Sequence, residues 1–225
     1  WELLIVSSPI EQTSSTFQFE KRCPAGSVNS TWLTEALKEA ISAAESQGWS
    51  SPRKLRSWRS SMRTMIQRAC SELGLEMVPS RRTYALFDWI AERELDLYPK
   101  EEGYMAGPLA PPPARVSSPP RPLPESLRGD TWNWAELSAS SLREASAWPI
   151  GFRGLLPVPE TINDDQIIPG LRLFSQTRGL ALAGLLGGME PVCLKVSSNQ
   201  LLLEAGQDDY WLVSDLSAEE ANTVS

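Results

Sequence analysis

The first half of the chain alternates between stretches with a period of two and stretches with a helical period. Residues 1–6 (WELLIV) are nearly all apolar and residues 16–20 (TFQFE) alternate, which predicts two strands of a hairpin around a polar turn at 7–15. Asn29 and Ser30 are predicted to cap a helix that runs to Ala44, because the apolar residues after them recur every three or four positions. Such an alternation of strands and helices indicates an α/β layer architecture.

Residues 52–93 continue the alternation as strand, helix, strand, helix. A strand is expected at 54–58, and Ser60 or Ser61 is predicted to cap a helix that Gly74 ends. A second strand at 75–78 stops at Pro79, after which Ser80 is predicted to cap the next helix. The apolar positions of this segment are expected to be buried, namely Leu55, Met65, Ile66, Leu73, Leu86 and Ile90.

The middle of the chain is rich in proline. Residues 107–124 hold eight of the eighteen prolines, a composition that favours an extended, semi-rigid spacer and contributes neither a sheet ladder nor a helix interior. A PxxP ligand for the aromatic groove of a partner is the alternative interpretation. The prediction is therefore two α/β lobes, 1–107 and 127–225, joined by a proline-rich linker at 108–126.

The second half again mixes both periods. Strands are expected at 132–137, 171–174, 192–196, 200–204 and 210–214, with the third and fourth forming a hairpin about Ser198-Asn199. Helices are expected at 140–147 and 178–189. Ser217 and Glu220 form a capping box, which predicts that a further helix begins just as the chain ends.

The composition excludes several kinds of chemistry. The chain has no histidine, which rules out Ser-His-Asp and Cys-His catalysis and histidine-ligated metal. It lacks the GxxxxGK[ST] and GxGxxG loops, and its three cysteines are isolated, as in a reduced intracellular protein. No apolar run is long enough for a membrane span, which needs about 18–20 residues. We therefore expect no metal, no cofactor, no catalysis and no membrane-spanning segment.

The basic residues are concentrated in one place. Residues 52–93 carry nine basic and four acidic side chains, although the whole chain has a net charge of −7. Residues 1–107 have a net charge of −1, residues 108–126 of +1, and residues 127–225 of −7. A polyanion is therefore expected to be repelled by the second lobe and attracted only at 52–93.

The positions of these arginines predict an anion site. Arg63 and the pair Arg81-Arg82 are each predicted in the first turn of a helix, where a cation is unfavourable by about 0.3–1 kcal/mol unless an anion docks there. If the two strands are parallel, both helix N-termini open on the same edge of the sheet, and phosphate is the anion that fits best. The candidate residues of this site are Arg56, Arg59, Arg63, Ser80, Arg81, Arg82 and Tyr84.

Each of these features also has a structural interpretation. Arg81 and Arg82 are alternatively predicted to form surface ion pairs with Glu72, Glu76 or Asp88, which are common and weak. Trp58, Tyr84 and Trp89 are candidates for stacking on bases. Core packing is favoured for Trp89 and for Phe87, and Tyr84 is the preferred stacking residue. The stretch Trp148 to Phe152 is interpreted as a structural turn of the second lobe.

Six strings of the sequence stand out, namely VNSTWL at 28–33, MIQRAC at 65–70, PSRRTYALFDW at 79–89, WPIGF at 148–152, IPGLRLFS at 168–175 and ALAGLLGGMEP at 181–191. Taken together and in this order, they resemble one family, the TAB/ATAB group of RNA-binding translation activators of cyanobacteria and plastids. The resemblance implies binding of single-stranded, A/U-rich messenger leaders for photosystem reaction-centre subunits. It also implies a role in their translation or in photosystem I accumulation, in a cyanobacterial cytoplasm or a chloroplast stroma.

Three functions remain as hypotheses. The first is an RNA-binding translation activator with translation or photosystem assembly factors among its partners. The second is an assembly or scaffold protein that contacts other proteins through the acidic lobe and the linker. The third is a nuclease, which the scattered carboxylates disfavour. Because the chain begins with Trp1 and the family usually has further elements on both sides, we expect both ends to be trimmed.

Overall fold

The computed structural model describes residues 1–8, 15–105, 119–147, 158 and 161–222. The chain divides into two compact units, the first with described residues 1–8 and 15–105 and the second with those from 119 onward. Both units combine helices with strands, which confirms the predicted α/β class. Most of the predicted linker, the centre of the turn at 7–15, and the stretch Trp148 to Phe152 lie outside the described residues.

The first unit begins with the predicted hairpin. Strand β1 (Glu2–Val6) pairs antiparallel with β2 (Gln18–Arg22), and Ile5 lies opposite Phe19. A short 3₁₀ turn (Ala25–Ser27) leads to helix α1 (Ser30–Ser46). Asn29 caps this helix as predicted, because its side-chain oxygen accepts a hydrogen bond from the amide of Trp32 at 2.9 Å.

The basic segment forms two consecutive strand–helix units. The first consists of β3 (Lys54–Ser57), a 3₁₀ turn (Ser60–Met62) and α2 (Arg63–Glu72). Gly74 follows α2 with φ +68°, the left-handed conformation that glycine adopts at a helix end. The second consists of β4 (Glu76–Pro79), α3 (Tyr84–Asp96) and a 3₁₀ turn (Tyr98–Lys100). Strands β3 and β4 are parallel, as the anion-site hypothesis requires.

The core of the first unit lies where α1 meets α2. Leu33, Leu37 and Ala69 are buried at its centre. Apolar side chains of β1, α1, β3, α2 and the residue after α2 pack around them, namely Leu3, Ile5, Trp32, Leu55, Met65, Ile66 and Leu73. The six residues predicted to be buried are all only partly buried. A sheet of two strands is too narrow to remove such side chains completely from solvent.

A buried cation ties α3 to the hairpin. The guanidinium of Arg93 lies 2.5 Å from a carboxylate oxygen of Glu2, pairs with Glu20, and donates a hydrogen bond from Nε to the hydroxyl of Tyr98 at 3.1 Å. It also stacks over the rings of Trp89 and Tyr98 at 5.1 and 5.3 Å. Burial by itself lowers the pKa of Arg93, but the hydrogen bond to Tyr98 and the two carboxylates outweigh it and raise that pKa.

The second unit contains a four-stranded sheet and a separate two-stranded sheet. The larger sheet has the order β5 (Arg121–Pro122), β10 (Asp209–Asp215), β9 (Gln200–Ala205) and β8 (Pro191–Ser197). The smaller sheet pairs β6 (Thr131–Ser138) antiparallel with β7 (Ile167–Phe174). Helices α4 (Ala139–Glu144), α5 (Gly179–Gly188) and α6 (Ala218–Asn222) complete the described elements.

A tight turn and a capping box in the second unit form at the residues for which the sequence predicts them. Ser198 and Asn199 both have positive φ, 50° and 58°, and connect β8 to β9 in the tight turn that suits the twist of a hairpin. At the start of α6, Ser217 accepts a hydrogen bond from the amide of Glu220 at 3.2 Å. The Glu220 carboxylate accepts one from the amide of Ser217 at 2.8 Å, so the capping box is confirmed.

Two predictions about proline are wrong. Pro122, in the segment predicted to contribute no ladder, lies in β5 opposite Leu212, and the amide of Leu123 donates to the Leu212 carbonyl at 2.9 Å. Pro169, predicted to precede a strand, lies within β7 opposite Glu136. Both strands are at the edge of their sheet, where a residue without an amide proton leaves no partner strand unsatisfied.

No helix in the described part of the chain is long and apolar enough to cross a membrane. Within the same residues, no three His, Cys, Asp or Glu side chains come together in a way that would hold a metal ion.

Limited proteolysis tests the division into two units. Because residues 121–123 pair with β10 and Leu127 packs against Leu203, we expect cleavage N-terminal to Pro119, between residues 106 and 118. Mass spectrometry of the fragments should give two resistant pieces with ends in that interval. A single resistant core would contradict the division into two units. Early cleavage within β5 would contradict the pairing of residues 121–122 with β10.

Replacing Arg93 tests whether the buried ion network stabilises the first unit. Arg93→Ala leaves the half-buried Glu2 carboxylate with only its longer ion pair to Arg22, at 3.8 Å, so we expect the free energy of unfolding in urea to fall by about 2–3 kcal/mol. Arg68→Ala, which removes an exposed arginine of α2, is the matched control and should change it by less than about 0.5 kcal/mol. Equal effects of the two substitutions would show that the network contributes no stability.

Candidate nucleic-acid interface

The parallel pairing of β3 and β4 brings two loops together at one edge of the sheet. The register runs from Lys54 opposite Glu76 to Ser57 opposite Pro79, and the amide of Ser80 donates to the carbonyl of Ser57 at 3.1 Å. The loop that leads into α2 therefore lies beside the loop that leads into α3. This is the edge at which open α/β sheets bind ligands, beyond the carboxyl ends of their strands.

Both loops begin with the same turn. The hydroxyl oxygen of Ser57 accepts a hydrogen bond from the amide of Arg59 at 3.3 Å, and that of Ser80 accepts one from the amide of Arg82 at 3.0 Å. Serine forms such bonds two residues ahead because its hydroxyl reaches the local backbone. Each turn therefore places an arginine two positions after the serine. We call the two turns, Ser57–Arg59 and Ser80–Arg82, the paired serine turns.

The start of α3 differs from the prediction. The helix begins at Tyr84 with Thr83 before it, so Arg81 and Arg82 are not in its first turn. The reason is a turn before the helix. The amide of Arg82 donates a hydrogen bond to the hydroxyl oxygen of Ser80, and the amide of Thr83 donates one to the carbonyl of Arg81 at 2.9 Å. The argument from the helix dipole therefore does not apply to Arg81 and Arg82. It does apply to Arg63, the first residue of α2.

The arginines of the second loop are buried. Arg81 and Arg82 are 8% and 3% exposed, and Ser80 is fully buried. Both arginines take part in interactions of their own, while Nε and Nη2 of each form no hydrogen bond. Guanidinium groups stay charged in proteins, so this loop holds two positive charges just beneath the surface. Sequence reasoning did not foresee this burial.

The arginines in and around the first loop are more accessible than those of the second loop. Arg63 and Arg68 are exposed, and Arg56 and Arg59 are half-buried. The guanidinium of Arg59 lies over the ring of Trp58 at 5.3 Å, and Trp58 packs against Phe87 of α3 with ring centroids 5.5 Å apart. Trp58 therefore already has a ring and a cation as neighbours.

The other two aromatic candidates, Tyr84 and Trp89, both belong to α3. Tyr84 is half-buried at the first position of α3, close in sequence to the second serine turn. Trp89 is half-buried and lies under Arg93, as expected for a structural residue. The predicted stacking role of Tyr84 stays a prediction.

Two of the acids considered as partners of Arg81 and Arg82 have other contacts. Glu72 accepts a hydrogen bond from the hydroxyl of Thr34 at 3.0 Å, and Glu76 lies 3.2 Å from the amino group of Lys54 across the β3–β4 ladder. Glu72 and Glu76, two of the four carboxylates within residues 52–93, are thus engaged with α1 and with the sheet.

Sequence reasoning missed Ser57 as part of this arrangement. A signal was present, because Ser57-Trp58-Arg59 and Ser80-Arg81-Arg82 each place a serine at or just after the end of a strand and an arginine two residues later. Comparing the ends of the two strands would have predicted the paired serine turns.

Comparison with known proteins gives the family of the chain. Residues 1–93 match the family model described as RNA-binding protein Tab2/Atab2 N terminal, and residues 111–225 match that of the RNA-binding protein Tab2/Atab2, C-terminal domain. No solved structure matches the chain.

Two curated plant proteins are similar along nearly the whole chain. Protein TAB2 homolog, chloroplastic, of Zea mays is 31% identical over 233 residues, which cover 99% of this chain and 57% of that protein. The protein of the same name from Arabidopsis thaliana is 29% identical over 220 residues, covering 92% and 54%. The chain thus spans a little over half the length of these relatives. With both of its halves matched in order, the chain belongs to the Tab2/Atab2 family of RNA-binding proteins.

Proposed function

We propose that this protein binds single-stranded, A/U-rich RNA at the β3–β4 edge of its first unit. The observation that carries the proposal is the parallel pairing that sets the loop of Arg59 and Arg63 beside the loop of Arg81 and Arg82. In a family described as RNA-binding, two adjacent arginine-bearing loops are the most suitable feature of the described residues for a phosphate backbone.

Burial divides the candidate residues into two roles. Arg59 and Arg63, with Arg56 at the rim, are accessible and are proposed to contact phosphates. Ser80, Arg81 and Arg82 are buried and are proposed to shape the second loop and to add positive potential beneath it. Tyr84, half-buried at the start of α3, is proposed to stack on a base.

The charge distribution limits how much RNA the site engages. The first 107 residues have a net charge of −1 and residues 127–225 of −7, so the positive potential is local. We therefore expect contacts with few phosphates and an affinity that falls only shallowly with salt.

The biological role that we propose is based on the family to which the chain belongs. We propose that the protein acts by binding, without catalysis, and that it assists the translation of photosystem messages or photosystem I accumulation. Its proposed location is a chloroplast stroma, in keeping with the chloroplastic relatives, or a cyanobacterial cytoplasm. Translation or photosystem assembly factors are the proposed protein partners.

One observation favours a second candidate function, that of an assembly scaffold. Helix α5 carries no charged side chain, and its Leu180 and Leu185 are 88% and 48% exposed. Partners that remain bound after nuclease treatment of a pull-down would support this function, and partners that are lost would support RNA as the bridge.

Removing the accessible arginines tests the RNA site. Arg59→Ala with Arg63→Ala should weaken binding of an A/U-rich single strand about tenfold and lower the salt slope by roughly 0.7 for each lost phosphate contact. Fluorescence anisotropy at several salt concentrations measures both quantities. Arg68→Ala, which removes one exposed charge further along α2, is the control and should change affinity by less than about twofold. If Arg68→Ala weakens RNA binding as much as Arg59→Ala alone and Arg63→Ala alone do, the loss of affinity is a general effect of charge.

Removing the buried arginines tests the division of roles. The sequence, by placing Arg81 and Arg82 at a helix N-terminus, predicted a slight gain of stability from alanine. Their burial reverses this expectation, so Arg82→Ala should lower the free energy of unfolding by about 1–3 kcal/mol. Urea unfolding checks the sign, and Arg63→Ala, which replaces an exposed arginine, should be neutral or slightly stabilising. A stabilised Arg82→Ala variant would contradict a positioning role.

A further inference from the structure

Three groups form a stack at the β3–β4 edge. Phe87 of α3 packs against Trp58 with ring centroids 5.5 Å apart and an interplanar angle of 33°, and the guanidinium of Arg59 lies over Trp58 at 5.3 Å. The stack therefore joins the loop after β3 to the helix after β4. This side-chain connection is additional to the backbone bond between Ser80 and Ser57, which connects the two loops.

The stack also contacts a side chain that has no other partner among the described residues, that of Arg59. In the part of the chain that the structure describes, Arg59 forms no ion pair with a carboxylate and no side-chain hydrogen bond, and its contact with Trp58 is the one interaction of its guanidinium. Its backbone is held separately, because its amide donates to Ser57 and its carbonyl accepts from Met62 at 3.2 Å.

We propose that Trp58 is a positioning residue of the RNA site, which orients the guanidinium of Arg59 for a phosphate of the bound strand. This inference rests on the proposed RNA-binding function. The ring face attracts the cation and restrains its position, so less side-chain entropy is lost when a phosphate binds. Among the described residues no carboxylate occupies the guanidinium nitrogens of Arg59, so they can form bidentate hydrogen bonds with a phosphate.

This role differs from base stacking. A tryptophan that stacks on a base presents an open face to the RNA, whereas the Trp58 ring already contacts Phe87 and has the guanidinium of Arg59 over its face. The contribution of Trp58 to RNA binding should therefore depend on Arg59. Another aromatic side chain at position 58 should preserve this contribution.

A double-mutant cycle with RNA affinity as the readout tests the proposal. Trp58→Leu should weaken binding about two- to fivefold, the range expected from a cation–π contact, while Trp58→Phe should stay within about twofold of the wild type. Trp58→Leu combined with Arg59→Ala should bind no more weakly than Arg59→Ala alone, since the tryptophan acts through the arginine. Losses that multiply would overturn the proposal.

Trp32→Leu is the matched control. Trp32 is a half-buried tryptophan of the same unit with Lys21 over its ring at 5.9 Å, but it belongs to α1 and not to the β3–β4 edge. Trp32→Leu should not couple to Arg59→Ala. Coupling of similar size in both cycles would show a general effect of losing a tryptophan, and would overturn the specific role of Trp58.

A measurement on the wild-type protein serves if Trp58→Leu does not fold. The Arg59 side-chain protons should be shifted upfield in the NMR spectrum by the Trp58 ring and should move on addition of RNA. Unshifted Arg59 protons would overturn the proposal. If the wild-type chain binds no RNA, the proposed function fails together with this inference, whereas wild-type binding without coupling removes the inference alone.

Discussion

The parallel ladder between β3 and β4 is the interaction on which the candidate interface depends. Its register sets Ser57 opposite Pro79, and the bond from Ser80 to Ser57 carries the pairing one residue further. Parallel strands require a crossover connection, and α2 provides it by returning the chain to the end of the sheet where β3 began. Strand β4 then finishes at the same end of the sheet as β3. For that reason two loops that are distant in sequence begin side by side and each presents arginine.

The buried network of Arg93 gives this arrangement a second anchor. Arg93 joins α3 to Glu2 of β1 and Glu20 of β2, so the helix that follows the second loop is fixed to the hairpin. The start of α3 carries Tyr84 and Phe87, and the latter supports Trp58. The ion network of Arg93 and the aromatic contact of Phe87 thus both hold the helix that follows the second loop. Removing one partner of a buried ion pair is costly, because it leaves an uncompensated charge.

Burial separates the basic residues of 52–93 into two groups that suit different roles. The sequence shows nine basic side chains within residues 52–93 but does not distinguish among them. In the folded unit Arg81 and Arg82 are nearly inaccessible, while Arg63 is exposed and Arg59 is held on a ring. Accessible arginines suit direct contact with phosphate, and buried ones suit the support of a loop and its potential.

The sequence by itself determined the features that a few neighbouring residues encode. The cap at Asn29, the left-handed Gly74, the tight turn at Ser198-Asn199 and the capping box at Ser217 all depend on short-range geometry, and all were predicted. The α/β class and the family resemblance also followed from patterns along the chain. The tertiary structure alone decided the bounds of α3, the burial of the second loop and the partners of Arg93. Ser80 carries the same local signal for a helix cap and for a turn, and strands and helices far away in sequence decide which of the two is formed and which arginine remains in contact with water.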